Sequence, residues 1–332
     1  MPEAHMRLVV GLSPQMRGIL GEAVLRRLAG AHPNVRVMFA KDVAEFAMLA
    51  AEADAVLVSP PFTIPPEWLT AGARLRWVQA ATAGVDFLLT PALGAAHHVA
   101  ITSTKGPMGP LMAEHVVMLM LALARDLPGF LQDQVQRRWR HMVDERPMTQ
   151  LFEKTIAILG VGAVGGNLAR MCKAGFGMTV LGLARTRRND PYVDRYFERE
   201  GLFTALAAAD FVALTLPLTP ATERIIDAAA LAAIKPTAYL VNVSRGGLVD
   251  EEALVAALRS GRLAGAGLDA TAVEPLPAGS PLWEMPNVII TPHVAPARDR
   301  LGEHNVDFWC ENIRRFVEGQ ELLGLVDRHA GY

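Results

Sequence analysis

Along nearly the whole chain, short runs of apolar and β-branched residues alternate with alanine- and leucine-rich stretches of helical spacing, and few folds accommodate that alternation. The spacing predicts strands at Leu8–Val10, Val35–Phe39, Ala55–Val58 and Trp77–Ala80. A second series follows at Thr155–Leu159, Thr179–Gly182, Phe211–Leu216, Tyr239–Val243, Ala266–Asp269 and Val288–Ile290. Helical segments such as Met16–Leu28 and Glu251–Leu258 lie between them. Strand–helix alternation of this kind implies parallel strands joined by helical crossovers, with helices on both faces of each sheet. The run Thr155-Ile156-Ala157-Ile158-Leu159 has no polar side, as a strand covered on both faces requires.

The chain has 332 residues, which suits two domains better than one core. Residues 111–140 read as one long connecting helix with a polar tail, from Leu111 through Gln132, Arg137 and Trp139. The late helical stretch Asn305–Val317 follows the last strand and is expected to return to the first domain. The expected division is therefore 1–102 with 298–332 as one discontinuous domain, and 103–297 as the other. A formal net charge of −2 gives no case for nucleic acid or an anionic membrane as partner. The longest apolar run, Val116–Ala124, is far short of the roughly 20 residues of a membrane span. The two cysteines, Cys172 and Cys310, offer neither a disulfide scaffold nor a Cys-rich metal site. With no leader pattern before the strand at Leu8, a cytoplasmic location is expected. His97 and His98 have no partner cluster, so no metal is expected. His115 reads as a packed or interfacial histidine within a helix.

The strand at Thr155–Leu159 runs into Gly160-Val161-Gly162-Ala163-Val164-Gly165 and then a helix. In this strand–turn–helix context Gly160 permits the tight turn, Gly162 lets a pyrophosphate reach the backbone, and Gly165 lets helix and strand pack closely. The helix N-terminus supplies unpaired N–H groups and a positive dipole end to the phosphates. The next strand usually ends in an acid that holds the adenosine ribose, but here it ends in Ala184, followed by Arg185, Thr186, Arg187 and Arg188. Guanidinium groups pair with a 2′-phosphate that a carboxylate would repel, so NADP is the expected cofactor, with NAD as the alternative. An ordinary basic surface loop is the competing explanation.

Three polar groups follow at strand exits: Arg245 in Ser244-Arg245-Gly246-Gly247, Glu274 before Pro275, and His293 in Thr291-Pro292-His293. Singly, each has a structural explanation. Together with the glycine turn, Ala83-Gly84-Val85-Asp86, Ala113-Glu114-His115 and Leu216-Pro217-Leu218-Thr219, they resemble the D-isomer-specific 2-hydroxyacid dehydrogenase family over nearly the whole chain. The resemblance implies two Rossmann-like or flavodoxin-like α/β domains, an active site in the cleft between them, and a homodimer. It implies that Arg245 binds the substrate carboxylate and carbonyl, that His293 is the acid/base, and that Glu274 pairs with the histidine. Ala83 and Gly84 would offer backbone N–H groups to the substrate at a helix start. Asp269 would bind the nicotinamide amide, and Leu216, Pro217, Thr222, Val243 and Ser244 would join Gly160–Gly165, Arg185, Thr186 and Arg188 around the cofactor.

The chemistry of those groups agrees. Reducing a 2-keto acid puts negative charge on the carbonyl oxygen, which an arginine fork stabilises while a histidinium delivers the proton. An ionised glutamate beside the histidine favours the protonated ring and fixes its orientation. Departures from the family pattern, at Ala270–Val273 and Pro296, touch the pocket and leave these groups intact. Trp139 would reach a neighbouring subunit's site as in glyoxylate/hydroxypyruvate reductases, or else sit at a surface. A formate- or phosphite-type dehydrogenase of the same fold is the alternative, though the formate type carries glutamine where this chain has Glu274. A nicotinamide-sensing interaction protein of the corepressor kind is another. A long phosphoglycerate dehydrogenase is not expected, because it would add a regulatory domain after residue 320.

Overall fold

The computed structural model describes residues 6–105, 108–139, 148–186, 190–297, 301–328 and 330–331. It divides into two compact units, Met1–Pro107 with Arg298–Tyr332, and Met108–Ala297.

Unit 1 contains β1 (Met6–Gly11), α1 (Pro14–Ala29), β2 (Val35–Phe39), α2 (Val43–Ala50), β3 (Ala55–Val58), β4 (Trp77–Ala80), α3 (Pro91–Ala95) and β5 (Ala100–Ser103). Its strands form a parallel sheet of order β2-β1-β3-β4-β5, the flavodoxin-like arrangement. Alternate residues feed two cores. Val9, Val56, Val58 and Val78 pack with Phe46 and Leu93 on one face. Leu8, Val10, Leu57 and Trp77 pack with Leu20, Leu28, Val306, Trp309 and Ile313 on the other.

Unit 2 contains α4 (Gly109–Ala124), α5 (Leu127–Val135), β6 (Thr155–Leu159), α6 (Ala163–Phe176), β7 (Thr179–Leu183), β8 (Arg195–Phe197), α7 (Leu202–Ala208), β9 (Phe211–Leu214), α8 (Ala228–Ala233), β10 (Tyr239–Asn242), α9 (Glu251–Arg259), β11 (Gly265–Leu268) and β12 (Val288–Ile290). The seven strands run in the order β12-β11-β10-β9-β6-β7-β8, all parallel. This is the Rossmann order with one further strand. Ile156 and Ile158 enter the core shared with α4 and α6, while Ala157 and Leu159 enter the core on the opposite face. Burying one such Ile or Leu side chain contributes about 1.5–3 kcal/mol, which explains why strands of four or five residues suffice. Among the described residues no helix is long and apolar enough to cross a membrane.

Unit 1 closes with α10 (Leu301–Val317), which packs on α1 and the first sheet. A buried polar network joins it to the strands. Asn312 Nδ2 donates to Gln79 Oε1 (3.0 Å), which also accepts from Thr102 Oγ1 (2.8 Å). The Trp309 indole donates to Thr104 Oγ1 (2.9 Å) and that of Trp77 to Thr102 Oγ1 (2.8 Å). Each bond satisfies a group that would otherwise cost about 1–3 kcal/mol to bury.

Some sequence expectations fail. The single helix expected over 111–140 is two, α4 and α5, broken at Asp126, whose φ is +51°. Pro128 opens the second of them, and Trp139 lies past its end. The strand expected to run to Leu216 stops at Leu214, because Thr215 turns to donate its hydroxyl to Gly160. Strands β5 and β8 were not expected. No α-helix starts at Ala83-Gly84-Val85; the segment is an irregular turn in which Thr82 Oγ1 donates to the Gly84 carbonyl (2.7 Å).

Candidate active site

Pairing in unit 2 sets Leu183, Leu159, Leu214, Asn242, Leu268 and Ile290 level with one another at the carboxyl ends of six adjacent strands. The residues that follow them, Ala184, Gly160, Thr215, Val243, Asp269 and Thr291, therefore line one edge, where open α/β sheets bind ligands.

The strand order reverses between β6 and β9, and there the glycine turn is built. Gly160 has a φ of +101°, and a Cβ on it would lie 2.7 Å from the Leu216 amide nitrogen. A Cβ on Gly165 would overlap the Gly160 carbonyl, so α6 can sit this close to the turn only with glycine there. Gly162 differs, since a Cβ on it would meet nothing within 4 Å. Its reason for being glycine is thus the open space beside the N-terminus of α6, which begins at Ala163 and Val164. A dinucleotide pyrophosphate fits that space and those unpaired N–H groups.

The neighbouring loops are tied mostly to themselves. Thr222 Oγ1 donates to the Pro217 carbonyl (2.7 Å) and accepts from Thr219 N (2.8 Å), shaping the loop after Leu216. Ser244 Oγ donates to the Leu214 carbonyl (3.1 Å), and Val243 is buried. Arg185 and Thr186 are exposed after Ala184, whereas Arg187 and Arg188 lie outside the described residues.

Arg245 stands in a turn after β10. Asn242 fixes that turn, donating from Nδ2 to the Arg245 carbonyl (2.9 Å) and accepting from Ser244 N (3.0 Å). A Cβ on Gly246 would overlap the carbonyl of Thr271, so only glycine lets the arginine turn press against the loop that carries Glu274. That loop is pinned by Glu251 Oε2, which accepts from Ala272 N (2.9 Å), and by Glu274 Oε1, which accepts from Thr271 N (3.2 Å). Asp250 caps α9, accepting from Ala253 N, with Glu251 and Glu252 in the first turn as expected.

Glu274 Oε2 and His293 Nδ1 are 2.8 Å apart, with side chains 40% and 41% exposed. The carboxylate accepts, so Nδ1 carries the hydrogen and Nε2 is the free ring position. His293 has a φ of +54°, a conformation unfavourable for a non-glycine residue and persisting only where the surroundings enforce it. The enforcement comes from Asp269. Its carbonyl accepts from His293 N (2.9 Å), and its carboxylate accepts from Val294 N and Ala295 N (2.9 Å each) and from the Thr291 hydroxyl (2.6 Å).

His115 of α4 completes this arrangement, with Nε2 2.9 Å from Thr291 Oγ1 and 3.5 Å from Asp269 Oδ1. The sequence reading took it as a packed or interfacial histidine. Its partner lies 176 residues away, and no local pattern marks the pair.

A model of the D-isomer-specific 2-hydroxyacid dehydrogenase NAD-binding domain matches residues 117–295. A D-isomer-specific 2-hydroxyacid dehydrogenase from Xanthobacter autotrophicus Py2, solved with NADPH and MES, superposes with a TM-score of 0.80 at 35% identity, covering 99% of this chain and 100% of that one. Glyoxylate/hydroxypyruvate reductase B of Pectobacterium carotovorum is 38% identical over 70% of this chain and 73% of its own. D-3-phosphoglycerate dehydrogenase of Synechocystis is 33% identical over 94% of this chain, which spans only 54% of that protein. With its glycine turn and the loops at the carboxyl edge, the chain belongs to the D-isomer-specific 2-hydroxyacid dehydrogenase family, a family of NAD(P)-dependent oxidoreductases.

Proposed function

We propose that this protein reduces a small 2-keto acid, and oxidises the corresponding D-2-hydroxy acid, with His293 as acid/base and Arg245 as the substrate-binding cation. The observation that carries this reading is the 2.8 Å contact between His293 Nδ1 and Glu274. NAD(P)H, when bound, supplies the hydride. Gly160, Gly162, Ala163, Val164 and Gly165 hold its pyrophosphate, Leu216 and Pro217 flank it, and Thr222, Val243 and Ser244 shape the loops around it. Arg245 engages the carboxylate and the carbonyl oxygen, where charge grows during reduction. His293, its Nδ1 hydrogen held by Glu274, presents protonated Nε2 to that oxygen and returns neutral after transfer. Asp269 is assigned to the nicotinamide amide, and the Ala83–Gly84 turn of unit 1 to the substrate carboxylate. Unit 2 is then the cofactor domain and unit 1 the substrate domain.

A screen of 2-keto acids against NADPH and NADH tests this reading, beginning with glyoxylate and hydroxypyruvate, the substrates named for the Pectobacterium relative. Oxidation of neither cofactor by any keto acid would overturn it. Glu274→Gln is expected to retain the fold but lower kcat. The carboxylate accepts the Nδ1 hydrogen and so keeps the ring turned with Nε2 free for the substrate, whereas a neutral amide accepts less strongly. A kcat within twofold of wild type, with chemistry rate-limiting, would remove Glu274 from the pair.

Ala184 and the exposed Arg185 favour NADPH over NADH. Arg185→Ala should narrow the NADPH preference by about one to two decades in kcat/KM, the equivalent of roughly 1.5–3 kcal/mol for one charge-assisted contact. Equal wild-type efficiency with NADH would refute the assignment. A homodimer is also proposed. Met118, Leu121, Leu127, Phe130, Leu131 and Val135 of α4 and α5 are exposed, and an apolar face of this kind suits a second copy. Burial pushes the Cys172 thiol up to about 12, so it is a packing group, and both cysteines are free, as suits a reducing compartment such as the cytoplasm.

A further inference from the structure

Asp269 keeps one acceptor position, on Oδ2, for the nicotinamide amide assigned to it. Its side chain is 1% exposed. Oδ1 accepts from the Thr291 hydroxyl and from Val294 N, and Oδ2 accepts from Ala295 N. An ionised carboxylate has about four acceptor positions, and three are taken by the loop that carries His293. The residue is thus the hub of a short loop whose histidine stands at positive φ.

Among the described residues the hydroxyl of Thr291 is the one side-chain group that hydrogen-bonds this carboxylate, and it has one hydrogen. At 2.6 Å from a carboxylate oxygen it must donate there. His115 Nε2, 2.9 Å from the same hydroxyl, therefore donates to it, which fixes His115 with its hydrogen on Nε2. The chain of donors runs one way, from His115 N–H to Thr291 O–H to the Asp269 carboxylate. Each bond polarises the next in the same sense. His115 is 13% exposed and anchored on α4, one of the longest helices of unit 2. A rigid helix is thereby tied to a loop that its own backbone strain would otherwise relax.

We propose that His115 is a positioning residue for the reaction, holding Thr291 and, through the Asp269 hub, the backbone of Val294 and Ala295, so that His293 is kept at its working place. This rests on the assignment of His293 as the acid/base. His115 touches neither His293 nor Glu274, so its effect must pass through the loop.

The test compares wild type with His115→Phe, His115→Gln, Thr291→Val and the Phe/Val double variant, using glyoxylate and the preferred cofactor. His115→Phe keeps a ring of similar size without the donor, whereas glutamine places an amide nitrogen near the position of Nε2. The expected result is a 10- to 100-fold loss of kcat in His115→Phe and Thr291→Val, with KM for cofactor within about twofold of wild type. His115→Gln should recover most of the rate. The double variant should lose no more than the worse single, since both break one chain. Amide hydrogen exchange of the 291–297 segment, read without cofactor, should quicken in the Phe and Val variants and not in Gln, while segments in α9 keep their protection.

A kcat within twofold of wild type in His115→Phe, additive losses in the double variant, or unchanged exchange would each overturn the proposal. Should His115→Phe fail to fold, wild-type exchange and rate in Thr291→Val would overturn it equally. His293→Ala separates the two failures. If that variant keeps the wild-type rate, the acid/base assignment has failed; if it is inactive while His115→Phe is unaffected, only the positioning role has.

Discussion

His293→Ala is expected to lose about 10²- to 10⁴-fold in the rate of keto-acid reduction, the range that one positioned general acid supplies. Dinucleotide affinity should change little. His293 belongs to the loop after β12, whereas the phosphate-cradling turn follows β6, with β9, β10 and β11 between them in the sheet. The loop should survive the change, because Asp269 holds it through backbone amides and Thr291, and the imidazole contributes none of those bonds. Alanine at a φ of +54° adds local strain but creates no cavity, since the ring is 41% exposed. Single-turnover reduction measured beside a fluorescence titration of the cofactor checks both halves. A variant retaining more than a tenth of the wild-type rate would exclude His293 as the acid.

Arg245→Ala is expected to cost about as much, but distributed differently. The guanidinium is the one group proposed to meet both the carboxylate before reaction and the carbonyl oxygen during it, so KM should rise and kcat fall together. Two charge-assisted contacts at about 1.5–3 kcal/mol each correspond to roughly two to four decades in kcat/KM. Arg245→Lys should recover only part of this, because an ammonium keeps the charge and loses the planar fork. The turn itself should persist, since Asn242 and Gly246 fix it through the backbone. Substrate-dependence curves for both variants decide the matter. A loss confined to KM would leave Arg245 as a binding group without a share in the charge development.

The central strands of both sheets were legible because they are buried on two faces and so read as nearly unbroken apolar runs. Val35–Phe39, Ala55–Val58, Trp77–Ala80, Thr155–Leu159 and Val288–Ile290 fall where the sequence predicts them. Strand β5 was not legible, since Thr102 and Ser103 break its apolar run, and the buried Thr102 hydroxyl finds its partners as far away as Gln79 and Trp77. Edge strand β8, Arg195–Phe197, is too short to carry a period. The break between α4 and α5 had a local signal in Asp126 and Pro128, which the long apolar stretch before them obscured. At the site, Arg245, Glu274 and His293 were picked out as polar groups in the loops after apolar strands, and their roles came from the family resemblance. His115 was not picked out, because its polar partner comes from another part of the chain and its helical surroundings read as packing.

The polar network under α10 also has a consequence in time. Gln79, Thr102 and Thr104 are made early in synthesis, whereas Trp309 and Asn312 arrive more than two hundred residues later. Until they do, the first sheet exposes one face of its core, along Leu8, Val10 and Leu57, and leaves buried acceptors without their donors. The 108–297 unit draws on no such late segment for its sheet and can close as it leaves the ribosome. The part translated first is therefore completed last, and the protein's most vulnerable interval in the cell is the wait for its own C-terminal helix.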